Sequence, residues 1–310
     1  MNMDPMVMGA EVAEALETGR PVVALESALI THGFAYPANV EITHRMADSV
    51  RAEGAVPAVI GVWYGRPTIG LTEDQIAALA ADSGATKVSV RDLPLVGLRG
   101  QHGGTTVAAT MVLAQRAGVR VFATGGIGGV HRGHPEDVSA DLPVLASTPL
   151  IVVCAGAKAI LDLPRTVEFL ETWGVPVLGW KTAAFPAFYS CTSGLPVDQV
   201  VQEPSQVAAV YAEQRALHLP QGVLVGVPVP AEDEVPAAEV EPLILQALAE
   251  AESKEIAGKA LTPYLLARLV ALSDSRTRRA NESLLVQNAS VAARIACALA
   301  DSLTGDSRVH

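Results

Sequence analysis

Lys158 follows an apolar run, IVVCAGA (151–157), whose composition predicts a buried strand and a turn of small residues. Burial favours the neutral form of a lysine, and a neutral amine is a nucleophile. The alternative is a lysine whose aliphatic stem lies along the core while its charged end reaches water. Lys158 by itself does not decide between them, so other residues must.

Glu26 ends a second apolar run, PVVALE (21–26). A carboxylate at the end of a buried strand loses part of its hydration, which lowers stability unless the group has a partner or a function. Glu26 is therefore a candidate for chemistry, and its alternative role is a cap or an ion pair at the edge of a sheet.

The stretch TGGIGGVHRGHPEDVSADL (124–142) combines glycines with charged residues. Its backbone N–H groups could approach an anion, with charge added by His131 and Arg132, as in a phosphate-binding nest. It matches neither G-x-G-x-x-G nor a Walker motif, so a tight structural turn explains it about equally well.

Asp137 and Asp141 flank Ser139, and carboxylates with a hydroxyl suit Mg²⁺ or Mn²⁺. A helix cap or a solvated loop is the favoured alternative in the absence of further context. His131 and His134 indicate zinc only poorly, because their spacing is irregular and no cysteine accompanies them.

The stretch HGGTTVAATM (102–111) places two threonines at a predicted helix start, where capping and anion binding are compatible. His32 and His102 each precede a glycine and are given no role. Because there is no G-x-S-x-G motif, Ser27 and Ser139 are not expected to be acyl-transfer nucleophiles.

Short runs rich in β-branched residues predict the strands that must position these side chains. They are PVVALE (21–26), VPAVIGVW (56–63), KVSV (87–90), VRVFAT (119–124), LIVVCA (150–155), VPVLGW (175–180) and GVLVGVPV (222–229). Helical patterns lie between most of them, at 37–53, 72–81, 105–117 and 164–173, and a long one spans 280–303.

This alternation predicts an α/β fold, a mostly parallel sheet with helices on both faces. Residues 1–310 are interpreted as one domain with a helical C-terminal layer from about residue 231. Ligands of such sheets gather at the carboxyl ends of the strands, where Glu26, the glycine-rich stretch and Lys158 are all expected.

Composition limits the classes of protein to which this chain could belong. The chain has 310 residues, half of them hydrophobic, and a formal net charge of −11, which argues against nucleic-acid binding. Its three cysteines, Cys154, Cys191 and Cys297, are widely spaced, as expected in a reducing compartment. With neither a signal peptide nor a membrane span in view, a cytoplasmic protein is predicted.

Eight motifs in order give the chain a resemblance to a known family. They are ALESALITHGFAYPAN, RDLPLV, HGGTTVAAT, FATGGIGGVHRG, DVSADL, VVCAGAKAILDLPRTVEFLETWGVPV, PAFYSCTSG and LTPYLL. Over about residues 20–300 the chain resembles the pseudouridine-5'-phosphate glycosidases, the indigoidine synthase A-like family. The resemblance implies an α/β/α fold, a homotrimer, a divalent metal, typically Mn²⁺, and reversible conversion of pseudouridine 5'-phosphate and water into uracil and ribose 5-phosphate.

The same resemblance implies roles for individual residues. Glu26 is similar to the proton donor and Lys158 to the covalent nucleophile, and Asp137 matches the metal position. Implied substrate contacts are Lys87, Val107, Ser139, Ala140, Asp141 and Asn281. The chain departs from the family pattern at 181–185 and at 275–279, where it carries three arginines. Both departures bear on the expected base preference more than on the reaction.

The implied chemistry accounts for a lysine. Pseudouridine joins sugar to base by a carbon–carbon bond, so a glycosidase has no leaving-group heteroatom to protonate. An imine on Lys158 would hold the electrons of the opened sugar. A Schiff-base aldolase or lyase acting on another phosphosugar, and a non-catalytic phosphosugar-binding protein, are the alternatives.

Overall fold

The computed structural model describes residues 6–306, without the side chains of residues 259 and 303–306. The first five and last four residues of the domain predicted above lie outside the described residues. The strands are β1 (Val7–Met8), β2 (Val22–Glu26), β3 (Val56–Trp63), β4 (Arg66–Ile69), β5 (Thr86–Val88), β6 (Gly103–Thr105), β7 (Val121–Ala123), β8 (Val130–His131), β9 (His134–Val138), β10 (Ile151–Cys154), β11 (Leu161–Asp162), β12 (Val177–Trp180), β13 (Gln199–Val201) and β14 (Val223–Gly226).

Helices connect most of these strands and make up the chain after β14. They are α1 (Ala10–Glu17), α2 (Ala28–His32), α3 (Ala38–Ala52), α4 (Glu73–Ala81), α5 (Leu93–Arg99), α6 (Val107–Arg116), α7 (Asp141–Leu145), α8 (Leu163–Thr172), α9 (Pro204–Ala216), α10 (Ala237–Ser253), α11 (Leu261–Leu272) and α12 (Arg276–Asp306). Short 3-10 turns lie at Val90–Asp92, Ala231–Asp233 and Gly258–Ala260.

The larger sheet is mostly parallel. Its order is β1-β4-β3-β2-β7-β10-β14-β12-β13, and every pair from β3 to β13 in this order is parallel. β4 and β6 both run antiparallel to β3, and β5 pairs with β6. A small antiparallel sheet, β11-β8-β9, is built on the glycine-rich stretch. The predicted α/β class is confirmed.

The central strands are almost entirely apolar because both of their faces are covered. All four residues of β10 are completely buried, and β2, β7 and β14 are nearly so. Helix α4 begins with a capping box, in which Thr72 and Gln75 each accept the other's backbone N–H.

The strand predicted over KVSV (87–90) is wrong in its extent and its burial. β5 ends at Val88, and both Thr86 and Lys87 are partly exposed. The chain turns there because Ser89 donates its backbone N–H to Asp92 Oδ2 at 2.9 Å and so begins a 3-10 turn. The early turn leaves Lys87 near the end of its strand.

Helix α12 begins at Arg276, four residues before the helical pattern predicted at 280–303. It lies against β2, β7 and β10 and against the helices α3 and α9. Its part from Arg276 to Ser302 is long and apolar enough to cross a membrane, with a mean hydropathy of 1.4, but 56% of that window is buried inside the protein. The core helix of a soluble protein has the same properties, and the contacts of α12 are those of a core helix.

Candidate active site

A cavity of about 700 Å³ opens at the carboxyl ends of the adjacent strands β2, β7 and β10. Glu26 is the last residue of β2, Gly125 and Gly126 follow β7, and Lys158 lies four residues beyond β10. The parallel order of these strands brings three segments that are distant in sequence to one edge of the sheet.

Every residue singled out from the resemblance lines this cavity. The nine are Glu26, Lys87, Val107, Asp137, Ser139, Ala140, Asp141, Lys158 and Asn281. Their shared location agrees with one site, while their individual roles stay predictions.

Glu26 and Lys158 are both held by the loop that follows β7. Thr124 donates a short hydrogen bond from Oγ1 to Glu26 Oε1. Lys158 Nζ donates to the Gly126 carbonyl oxygen at 2.8 Å. Glu26, at the end of β2, and Lys158, after β10, are therefore both oriented by residues 124–126, which follow the strand between them.

Burial raises the pKa of Glu26 above its ordinary value of 4.5, and the Asp141 carboxyl adds to that rise. The charges of Lys158 and Lys87 and the Thr124 hydroxyl act in the opposite direction and offset only part of it. The net effect favours a protonated Glu26, which is the form that a general acid needs. An acid and an amine that line the same cavity can act as proton donor and nucleophile on one substrate.

Asp141 joins the start of α6 to the glycine-rich stretch beside the cavity. Its Oδ1 accepts the backbone N–H of Ala108 at 2.9 Å and its Oδ2 accepts that of Gly128 at 2.7 Å. The side chain is 7% exposed. Asp141 therefore caps the start of α6 from a distant segment, in addition to any contact with substrate.

We expect Asp141→Ala to lower the free energy of unfolding by about 2–4 kcal/mol, because two buried backbone N–H groups lose their acceptor. Urea denaturation measures the change. Asp82→Ala is the matched control, since Asp82 Oδ1 accepts the Gly84 N–H at 2.8 Å in an exposed turn. Equally small losses of unfolding free energy in both variants would show that Asp141 does not hold the start of α6 and the glycine-rich stretch together.

The start of α6 is less open to an anion than its sequence indicates. Thr106 caps the helix by accepting the Ala109 N–H, and Asp141 takes that of Ala108. Thr105 is buried and donates to the Ile60 carbonyl at 2.6 Å. Of the adjacent pair Thr105 and Thr106, Thr106 is the cap and Thr105 belongs to the core.

Arg132 does not add free charge to the glycine-rich stretch. Its guanidinium donates to both carboxylate oxygens of Glu241, at 2.5 and 3.1 Å, and to the carbonyls of Ala159 and Leu161. It ties β8 to α10 and to the chain just after Lys158. His131, by contrast, lines the cavity.

The metal predicted at Asp137 has to fit the donors that the cavity offers. The Asp137 side chain is 55% exposed, and its Oδ2 lies 4.0 Å from His131 Nδ1. No group of three His, Cys, Asp or Glu residues suited to a metal occurs within residues 6–306. This arrangement fits a hydrated hard cation held by one carboxylate with water and substrate oxygens, which is a common way of binding Mg²⁺ or Mn²⁺, and it does not fit a closed zinc site.

The sequence patterns give no individual role to several residues that shape the cavity. Thr124 lies between an apolar run and the glycine-rich stretch, and Phe188 is part of a motif, yet the first orients Glu26 and the second lines the cavity. His32 also lines the cavity, and its pKa is lowered by burial and by Lys87. A polar residue directly after a buried strand was the available signal for Thr124.

Comparison with known proteins places this chain in a family. The model of the family described as indigoidine synthase A like protein matches residues 11–298. A protein of Methylobacterium nodulans named pseudouridine-5'-phosphate glycosidase is 54% identical over 291 residues, which cover 93% of this chain and 86% of the relative. One of the same name from Caldanaerobacter subterraneus is 48% identical over 94% of this chain and 96% of its own length.

Two solved structures have the same fold. An indigoidine synthase A-like protein from Thermotoga maritima superposes with a TM-score of 0.89 at 35% identity, covering 97% of this chain and 99% of its own. The prealnumycin C-glycosynthase AlnA, solved in complex with ribulose 5-phosphate, gives 0.90 at 38% identity over 98% and 100%. By sequence and by fold, this chain belongs to the pseudouridine-5'-phosphate glycosidase family, the indigoidine synthase A-like proteins.

Proposed function

We propose that this chain is a C-glycosidase that reversibly cleaves pseudouridine 5'-phosphate, with water, into uracil and ribose 5-phosphate. The observation that carries the proposal is that Glu26 and Lys158 line one cavity and are each held by the loop after β7. The names of the relatives and the ribulose 5-phosphate bound by AlnA support a phosphosugar substrate.

In the first step the Lys158 amine attacks C1' of the ribose as the bond between C1' and the ring oxygen breaks. Glu26 gives its proton to that oxygen, which becomes a hydroxyl. The product is an open-chain sugar joined to Lys158 through C1', with uracil still attached to the same carbon. The new secondary ammonium passes a proton back to the Glu26 carboxylate, so the Lys158 nitrogen regains a free electron pair. The raised pKa of Glu26 supports its part in this step.

In the second step the Lys158 nitrogen pushes its electron pair toward C1', and the bond from C1' to C5 of uracil breaks. Uracil keeps that electron pair and its C5 takes the proton from Glu26, while an iminium remains on the sugar. Water adds to the iminium carbon, and collapse of the adduct releases ribose 5-phosphate, restores the amine and returns a proton to Glu26. The apolar strand before Lys158 shelters this intermediate.

Six further residues of the cavity would bind the substrate. Lys87 supplies positive charge beside Glu26, and Val107 lies at the start of α6. Ser139, Ala140 and Asp141 line the cavity at the end of the glycine-rich stretch, and Asn281 lines it from α12. A bound divalent cation, Mn²⁺ by the resemblance, would neutralise substrate oxygens near Asp137.

We expect a chelator to suppress turnover and Mn²⁺ to restore it, because Asp137 is the exposed carboxylate on the cavity wall. Electron paramagnetic resonance of Mn²⁺ should show weaker binding to Asp137→Asn. Glu136→Gln is the control, since Glu136 pairs with His134 at 3.5 Å instead. Full activity of exhaustively chelated protein would contradict the metal assignment.

The finer predictions from the sequence are part of the same proposal. A homotrimer follows from the resemblance, and light scattering would test it. A cytoplasmic location is supported by Cys154, Cys191 and Cys297, which are all unpaired.

The direct test of the function is incubation of the protein with pseudouridine 5'-phosphate beside a panel of aldol phosphosugars, with release of uracil followed by chromatography. Release of uracil alone supports the proposal. Turnover of an aldol substrate would favour the Schiff-base aldolase, and absence of any turnover would favour a binding protein.

A further inference from the structure

The loop that holds Glu26 and Lys158 is itself fixed by helix α12. Asn281, Leu284, Leu285 and Asn288 are spaced i, i+3, i+4 and i+7, so they share one face of the helix. The first three lie so close to Gly125 that a Cβ there would stand 3.2–3.5 Å from their side chains. This face of α12 is packed directly on Thr124 and Gly125.

Asn288 makes the polar contact of that face. Its Nδ2 donates to the Thr124 carbonyl at 2.8 Å and reaches the Gly125 carbonyl at 3.4 Å. The side chain is completely buried, and its Oδ1 has no hydrogen-bond partner among the described residues. Retaining a buried amide with one orphaned oxygen is costly, so stability alone does not explain it.

Three consecutive residues connect this amide to both catalytic candidates. The backbone carbonyl of Thr124 receives the Asn288 bond, and its hydroxyl donates to Glu26. The carbonyl of Gly126 receives the bond from Lys158. Asn288 does not line the cavity, so its effect on either group must pass through the loop.

We propose that Asn288 is a positioning residue that sets the placement of Glu26 and Lys158 relative to each other by anchoring the loop at residues 124–126. The inference rests on the proposed function. Small displacements of reacting groups cost up to about 10²-fold in rate, which gives the scale of the effect.

The test begins with Asn288→Leu, which keeps the volume and removes both the donor and the orphaned oxygen. We expect kcat to fall about 10–10²-fold with KM little changed, because no substrate contact is lost. Gln287→Leu is the matched control: Gln287 Nε2 donates to the Pro228 carbonyl at 2.9 Å, away from the loop. Asn288→Ala replaces the Leu variant if the latter does not fold.

A pH profile separates positioning from a merely structural role. Glu26 is faced by Lys158, Lys87 and Asp141, and the Thr124 hydroxyl lowers its pKa. Loss of the Thr124–Glu26 hydrogen bond should raise the pKa of Glu26 and so move the alkaline limb of the kcat profile to higher pH, both in Thr124→Val and in Asn288→Leu. The double variant should shift no further than Thr124→Val. An alkaline limb that is unchanged in Asn288→Leu, or shifts of the two variants that add in full, would overturn the proposal.

The infrared band of the Glu26 carboxyl tests the positioning role without a measurement of turnover. It is assigned by subtracting the infrared spectrum of Glu26→Gln and is then titrated in the wild type and in Asn288→Leu. A wild type that does not release uracil would defeat the proposed function alone, while a carboxyl titration identical in both proteins would defeat the positioning role of Asn288.

Discussion

Lys158→Ala is expected to lower turnover of pseudouridine 5'-phosphate by more than ~10⁴-fold, because the nucleophile is lost and nothing else in the mechanism forms the imine. The side chain is only partly buried and makes one hydrogen bond, to Gly126, so the fold should survive. Lys158→Met keeps the apolar stem and should be equally inactive. Single-turnover release of uracil measures both.

The control for this prediction is Lys181→Ala. Lys181 is exposed, with its Nζ 5.5 Å from the centre of the Trp180 ring, and lies outside the cavity wall. Its replacement should leave turnover near the wild-type value. Activity within a few-fold of wild type in Lys158→Ala would remove that lysine from the mechanism.

Glu26→Gln is expected to lower turnover by about 10²–10⁴-fold with substrate binding preserved. The amide keeps the shape of the side chain and can still accept the bond from Thr124, but it has no proton to give to the ring oxygen. In the wild type, turnover should fall as pH rises through the raised pKa of Glu26, since the acid is then ionised. Glu26→Gln should lack this limb.

Replacing Glu26 by Gln should lower turnover but should not lower the stability of the fold. A carboxyl whose pKa is raised by burial binds its proton more tightly in the folded than in the unfolded state, so the free energy of unfolding falls as pH rises through the folded pKa. Glu26→Gln cannot ionise and should melt at or above the wild-type temperature at neutral pH. A lower melting temperature with near-normal turnover would make Glu26 a structural cap.

The sheet could be predicted from the sequence where burial leaves a plain signal. β2, β3, β10 and β14 are apolar because both of their faces are covered, and each matches a predicted strand to within a few residues. β9 was missed because its residues are mostly exposed and carry no apolar pattern. A short strand that pairs only along one edge has little hydrophobic signal to offer.

The sequence predicted a set of residues that share one cavity, but it did not predict the contacts that hold the cavity's loops. The nine residues taken from the resemblance all line the cavity, whereas Asn288 and Arg132 bind partners about 160 and 110 residues away, Thr124 and Glu241. No local spacing encodes such contacts. The role of Asp141 as a distant cap of α6 was hidden for the same reason, because its partners Ala108 and Gly128 are brought to it only by the fold.

The central claim is that Lys158 becomes covalently bound to the opened sugar. The most direct measurement is mass spectrometry of the protein after borohydride reduction in the presence of ribose 5-phosphate. The account predicts a reduced pentose phosphate adduct on the peptide that contains Lys158, and its absence in Lys158→Met. An unmodified Lys158 in the wild type, or an adduct on a different lysine, would contradict it.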